Sequence, residues 1–90
     1  MYYKTESIPL DQLDIGDTIV RVTEHGRDIF EGALHLLKVR TFEMDHRPIV
    51  QLDVQGGGTI NCPQPEHTEV TVLRALTHDE YRSELEKMTR

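Results

Sequence analysis

The chain predicts a mainly β fold: a small five-stranded antiparallel barrel with one C-terminal α-helix. Three observations carry this. Short runs rich in β-branched residues recur through the middle of the chain, punctuated by Gly- and Pro-bearing turns. The most regular run, Glu69-Val70-Thr71-Val72-Leu73-Arg74-Ala75-Leu76, alternates side chains with the period of a strand. The pattern then breaks at Thr77-His78-Asp79-Glu80, which has the spacing of a helix capping box. Ninety residues and 10.4 kDa allow one domain with one modest core. Its parts read as an N-terminal arm and turn at 1–17, a barrel at 18–76 and an amphipathic helix at 77–90.

Met1-Tyr2-Tyr3-Lys4-Thr5-Glu6-Ser7 has no apolar run after Lys4, so it does not read as an export signal. Pro9 fixes one backbone angle, and Gly16-Asp17 reads as a tight turn. Between them Leu10, Leu13 and Ile15 are expected to tuck beneath the barrel mouth as a short 3₁₀ turn. Thr18–Thr23 is the first strand, and Glu24–Asp28 is a polar loop around Gly26. Ile29, Phe30, Ala33, Leu34 and Leu37 would line one helical face, but Gly32 would cost such a helix about 1 kcal/mol relative to Ala. Residues 27–33 are therefore read as loop, with a helical turn as the alternative.

Residues 34–44 alternate with a single slip at Leu36-Leu37, as a β-bulge in a long bent strand requires. Asp45–Pro48 is a turn, Ile49–Val54 a strand, Gly56-Gly57-Gly58 a flexible connection and Thr59–Cys62 a further strand, completing a meander. Pro63 and Pro65 exclude the next stretch from a strand interior, because proline removes ladder donors. The expected core is Ile19, Val20, Val22, Leu36, Val39, Phe42, Ile49, Val50, Leu52, Val54, Ile60, Val70, Val72 and Leu73. In the helix, Tyr81, Leu85 and Met88 form an apolar stripe opposite Arg82, Glu84, Glu86 and Lys87. A helix of about twelve residues is marginal alone, so the stripe must pack on the barrel or on a second molecule.

A net charge of −6 argues against non-specific nucleic-acid binding, which needs cations to displace phosphate counterions. It also argues against an anionic membrane surface. The charge is uneven: residues 1–33 hold seven acids and three bases, residues 34–60 three of each, and residues 61–90 six acids and four bases. No apolar run is long enough to span a bilayer. The single cysteine, Cys62, excludes an internal disulfide framework and fits a cytoplasmic setting.

Little in the sequence points to catalysis. The two serines, Ser7 and Ser83, stand apart from any nucleophile motif. Cys62 reads as a small, partly buried thiol at a strand end. His25, His35, His46, His67 and His78 show no closely spaced ligand pair of the kind a structural zinc site uses. The triple glycine lacks the Lys and Ser or Thr of a phosphate loop. A non-enzymatic protein without metal or cofactor is the expectation.

Two binding surfaces can be read instead. For a protein partner, the acidic residues Asp11, Asp14 and Asp17 offer electrostatic steering, and Tyr81, Leu85 and Met88 offer a helical face. A homodimer is compatible with that stripe and with barrel edges. The alternative is a single-stranded nucleic-acid site: Lys38, Arg40 and Phe42 lie at spacing two, with Arg47 in the adjacent turn, so cations and an aromatic share a strand face.

The sequence Leu13-Asp14-Ile15-Gly16-Asp17-Thr18-Ile19, a central hairpin and Val70-Thr71-Val72-Leu73-Arg74 resemble small uncharacterised SH3-like β-barrel proteins of actinobacteria and their bacteriophages. The likeness covers roughly residues 10–76 as spacing. It implies an SH3-like barrel and an accessory role, binding and modulating a bacterial host protein. It transfers no catalytic residue.

Overall fold

A computed structural model describes residues 2–88. Six strands form one antiparallel sheet: β1 (Tyr2–Pro9), β2 (Thr18–Glu24), β3 (Arg27–Met44), β4 (Arg47–Val54), β5 (Thr59–Cys62) and β6 (Thr68–Leu76). One helix, α1 (His78–Met88), ends the described chain, so positions 89 and 90 of the expected helix lie outside it. Short 3₁₀ turns occupy Leu10–Gln12 and Pro65–His67. The order across the sheet is β1-β6-β2-β3-β4-β5. Among the described residues β1 and β5 do not pair, so the bent sheet remains open where a closed five-stranded barrel was expected.

The sixth strand is β1, from the segment read as an arm. It pairs with β6 over eight residues, from Tyr2↔Leu76 to Pro9↔Glu69. Only Ile8 of β1 is buried, so the strand is held by main-chain pairing and carries almost no hydrophobic pattern. Pro9 ends it, and proline is tolerated at such an edge because no ladder donor is needed there.

Residues 27–33 are strand rather than loop or helical turn. His25 and Gly26, with φ of +50° and +77°, reverse the chain in two residues and bring Arg27 opposite Glu24. Two positive φ values in a two-residue turn match the right-handed twist of the strands they join. Register shifts between Ile19 and Arg21 and between Val22 and Thr23 interrupt the β2–β3 pairing. Each shift changes which face a side chain takes, and this blurred the alternation in the sequence.

The slip at Leu36-Leu37 is a bulge, as expected: Leu36 pairs with Val54, Lys38 with Asp53, and Leu37 is left over. Here β3 changes partner from β2 to β4. The Asp14–Asp17 turn closes over the same point. Leu36 N–H donates to the Asp17 carbonyl (2.9 Å), and Gly16 N–H donates to the Leu36 carbonyl (2.8 Å). Gly16 has φ of +94°, a conformation open to glycine at little cost.

The buried core is Ile8, Ile19, Val22, Leu36, Leu52, Val54, Ile60, Cys62, Val70 and Val72. Leu10, Leu13, Phe30, Leu34 and Val50 pack partly against it, while Ile15 is exposed instead of tucked in. Val20, Ile49 and Leu73 are half-buried. Val39 and Phe42, expected inside, are 39% and 41% exposed, because β3 and β4 run on past the core as a two-stranded hairpin. The molecule is accordingly long, 50 × 26 × 19 Å.

Candidate protein-interaction surface

The β3–β4 hairpin has two faces and one open edge. Its register is unbroken from Lys38↔Asp53 to Met44↔Arg47. Alternation therefore places Lys38, Arg40, Phe42, Met44, Arg47, Ile49, Gln51 and Asp53 on one face. Contacts agree: Arg40 Nη2 donates to Asp53 Oδ1 at 2.8 Å, and Gln51 Nε2 donates to Asn61 Oδ1 at 3.1 Å. The four residues of the nucleic-acid alternative thus share a face. Arg47 belongs to β4 itself, since the turn is only Asp45-His46, and Phe42 points outward. Arg40 is already ion-paired with Asp53.

The main chain of the hairpin follows from its turn. Asp45 and His46 have φ of +52° and +64°, so Met44 and Arg47 flank a two-residue turn and form a hydrogen-bonded pair. Hydrogen-bonded and non-hydrogen-bonded pairs alternate from there. Phe42, Arg40 and Lys38 bond toward β4, whereas Glu43, Thr41 and Val39 direct N–H and C=O away from it. On β4 the even-numbered residues face away from β3. Val54 N–H confirms this parity by donating to the Gly58 carbonyl at 3.0 Å. Val50 and Leu52 meet β5 there, and Pro48 has no N–H to offer. The β4 edge is thus covered or blocked. On the other edge β2 stops at the Thr18↔His35 pair, so Val39, Thr41 and Glu43 have no strand beside them among the described residues.

The inner face of the hairpin carries Val39, Thr41 and Val50. Pro9, Leu10, Asp11, Pro65, Glu66 and Thr68 complete a groove of about 450 Å³. Asp11 therefore lines a groove next to the open edge. Asp17 is occupied otherwise: its Oδ2 accepts from the Asp14 main-chain N–H (3.0 Å), and its Oδ1 accepts from Arg74 Nη1 (3.2 Å). Asp17 is thus held within the fold, whereas Asp11 and Asp14 are exposed.

The helical stripe is divided as well. The capping box is present, with Thr77 N–H donating to Glu80 Oε1 (3.0 Å) and Glu80 N–H to Thr77 Oγ1 (3.2 Å). These bonds favour the charged carboxylate and hold Glu80 below its ordinary pKa. The cap is complete above that ordinary value and weakens as pH falls through the lowered one. Tyr81 stacks on Tyr2, ring centroids 3.8 Å apart and nearly parallel, and Glu84 pairs with Lys4 at 3.5 Å. The helix so docks on the end of β1, yet no helical residue is buried. Leu85 and Met88 remain exposed.

Cys62 is fully buried, and burial, with a smaller contribution from the Glu24 carboxylate, pushes its thiol up to about 11. That opposes nucleophilic use, which needs the thiolate. His25 and His67, distant in sequence, lie together with ring centroids 4.2 Å apart, and His25 Nε2 is bonded to Gln64 Oε1. Among the described residues no three His, Cys, Asp or Glu side chains are grouped as a metal would need. No helix among the described residues is long and apolar enough to cross a membrane. No family model, curated protein or solved structure matches the chain.

Sequence reasoning missed the open β3 edge. The signals were present in the bulge at Leu36-Leu37, the two-residue turn at Asp45-His46 and the position of Pro48. They acquire meaning only once β2 is seen to stop short of the bulge.

Proposed function

We propose that this chain is a non-enzymatic protein-interaction module that captures an extended strand of its partner along the open edge of β3. The observation that supports this most directly is the row of main-chain groups at Val39, Thr41 and Glu43 that have no strand beside them among the described residues, in a hairpin with Phe42 and Met44 exposed. Proteins block such edges, because an unpaired edge templates pairing with another chain. This chain blocks the adjacent edge with Pro48 and leaves this one open. Strand addition draws affinity from main-chain bonds and selectivity from pockets for alternate side chains. The groove of Val39, Thr41, Leu10 and Asp11 supplies such a pocket. By analogy with the phage and actinobacterial barrels, the partner is a bacterial host protein in the cytoplasm, and capture modulates it.

Thr41→Pro tests the reading, because the N–H it removes points away from β4 and has no partner among the described residues. The variant should keep a cooperative thermal unfolding transition, and in an affinity capture from bacterial lysate it should lose the protein that the wild type retains. Equal retention of that protein by both would refute strand addition.

A second reading has an observation of its own: Lys38, Arg40, Phe42 and Arg47 share the outer face, as a stacking and phosphate-binding platform for single-stranded nucleic acid requires. Its charge is reduced by Asp53, which holds Arg40. Low-salt fluorescence anisotropy with a labelled oligonucleotide decides it: binding that Phe42→Ala weakens supports this reading, and no binding removes it.

A further inference from the structure

We infer that the strand captured at the β3 edge is β3 of a second copy, paired antiparallel about a two-fold axis through Thr41. This deepens the strand-addition reading and presupposes that the edge captures strands at all. Two copies of one strand related by a two-fold axis perpendicular to the sheet keep the same face upward. Residue i then opposes residue j only when both are odd or both even. Three registers fit the open stretch. Centred on Arg40, the pairing opposes two guanidiniums and joins only Val39 to Thr41; like charges directly opposed are unfavourable. Centred on Phe42, it joins Thr41 to Glu43 and leaves Val39 unpaired. Centred on Thr41, it opposes Thr41 to itself and Val39 to Glu43 in both directions, so every outward N–H and C=O of the edge is used.

The side chains fit the same register. Arg40 comes opposite Phe42 on both sides of the axis, and cation–aromatic cross-strand pairs are favourable. Lys38 comes opposite Met44, laying its aliphatic stem on an exposed apolar side chain. Arg40 keeps its own counter-ion, Asp53, at 2.8 Å, which offsets the guanidinium charge near the axis. The length fits too. Pairing ends at the Asp45-His46 turn on one side. On the other it ends at Leu36, whose N–H and C=O are already bonded to Asp17 and Gly16. Two copies of a chain of charge −6 repel overall, but the segment that meets belongs to the stretch 34–60, where three acids balance three bases. Association through it should therefore depend only weakly on salt.

Sedimentation and light scattering of the full chain over a concentration series should give twice the chain mass, little changed by salt, and Thr41→Pro should give the single-chain mass with a cooperative thermal transition whose midpoint no longer rises with concentration. Opposed residues of a hydrogen-bonded pair stand about 5.5 Å apart at Cα, within disulfide range. Thr41→Cys should therefore link into a covalent dimer on mild oxidation, and Lys38→Cys, opposed by Met44, should link far less. Single-chain mass at every concentration, or equal linking by both cysteines, overturns the second copy. If Thr41→Pro nevertheless abolishes capture of a lysate protein, strand addition stands and only the occupant changes. A dimer that persists in Thr41→Pro removes the edge from both proposals.

Discussion

The two halves of β3 share one backbone and have opposite fates. Residues 27–35 pair with β2 through an irregular, bulged register, yet they lead Leu36 into the core, with Phe30 and Leu34 packed partly against it. Residues 38–44 pair with β4 in unbroken register, yet Val39, Phe42 and Met44 remain between 39% and 54% exposed. Regular pairing satisfies the main chain, but burial needs a second layer. Around Leu36 the β1–β6–β2 part of the bent sheet supplies that layer. Past the bulge, among the described residues, β3 has only β4 beside it and the groove beneath it. The half whose register is unbroken is therefore the half whose apolar side chains stay exposed.

The sharpest way to break this contrast is to truncate one side chain in each half. Leu36→Ala should cost about 2–5 kcal/mol, the range for an aliphatic side chain deleted from a packed core. Phe42→Ala should cost less than about 1 kcal/mol when measured in the Thr41→Pro background, where the edge is blocked. Urea denaturation reads both, and equal costs would mean that the hairpin is packed after all.

Cys62 probes the packed half through pH. Its folded-state pKa is raised from 9.0 to about 11, so the unfolded chain releases this proton first as pH rises. The stabilisation from the buried neutral thiol is complete below pH 9 and declines between pH 9 and about 11. The loss over that window should reach at most about 3 kcal/mol. Cys62→Ala should flatten that part of the profile while lowering stability at neutral pH, and an unchanged slope would assign the decline elsewhere.

The smallest effect lies at the hairpin tip. Asp45 and His46 both hold positive φ without glycine. His46→Gly should stabilise the chain by about 1 kcal/mol, because a left-handed conformation is strained for a residue with a Cβ. Thermal unfolding measures it, and no gain would place the tip outside the cooperative unit.

Much of this was legible in the sequence, and the failures have specific causes. The strands from Thr18, Ile49, Thr59 and Glu69, the bulge at Leu36-Leu37 and the Thr77–Glu80 cap are written in local alternation, turn chemistry and capping. β1 was not legible, because a strand with only Ile8 buried leaves no hydrophobic period. Residues 27–33 were masked by register shifts on their partner. Val39 and Phe42 read as core because period two reports that a segment is a strand without reporting whether anything covers it. They lie on opposite faces of the hairpin, so no single layer covers both.

By itself the sequence determined that this chain is mainly β, that a helix follows its last strand and that its middle is electrically balanced while its ends are acidic. Those properties depend on neighbours a few residues away. The tertiary structure alone decided that the sheet stays open and that Tyr81 is occupied by Tyr2 and Asp17 by Arg74. It also decided that, among the described residues, no strand lies beside the edge at Val39, Thr41 and Glu43. Each of these depends on where β1, β2 and β6 end in space, and no local pattern encodes that.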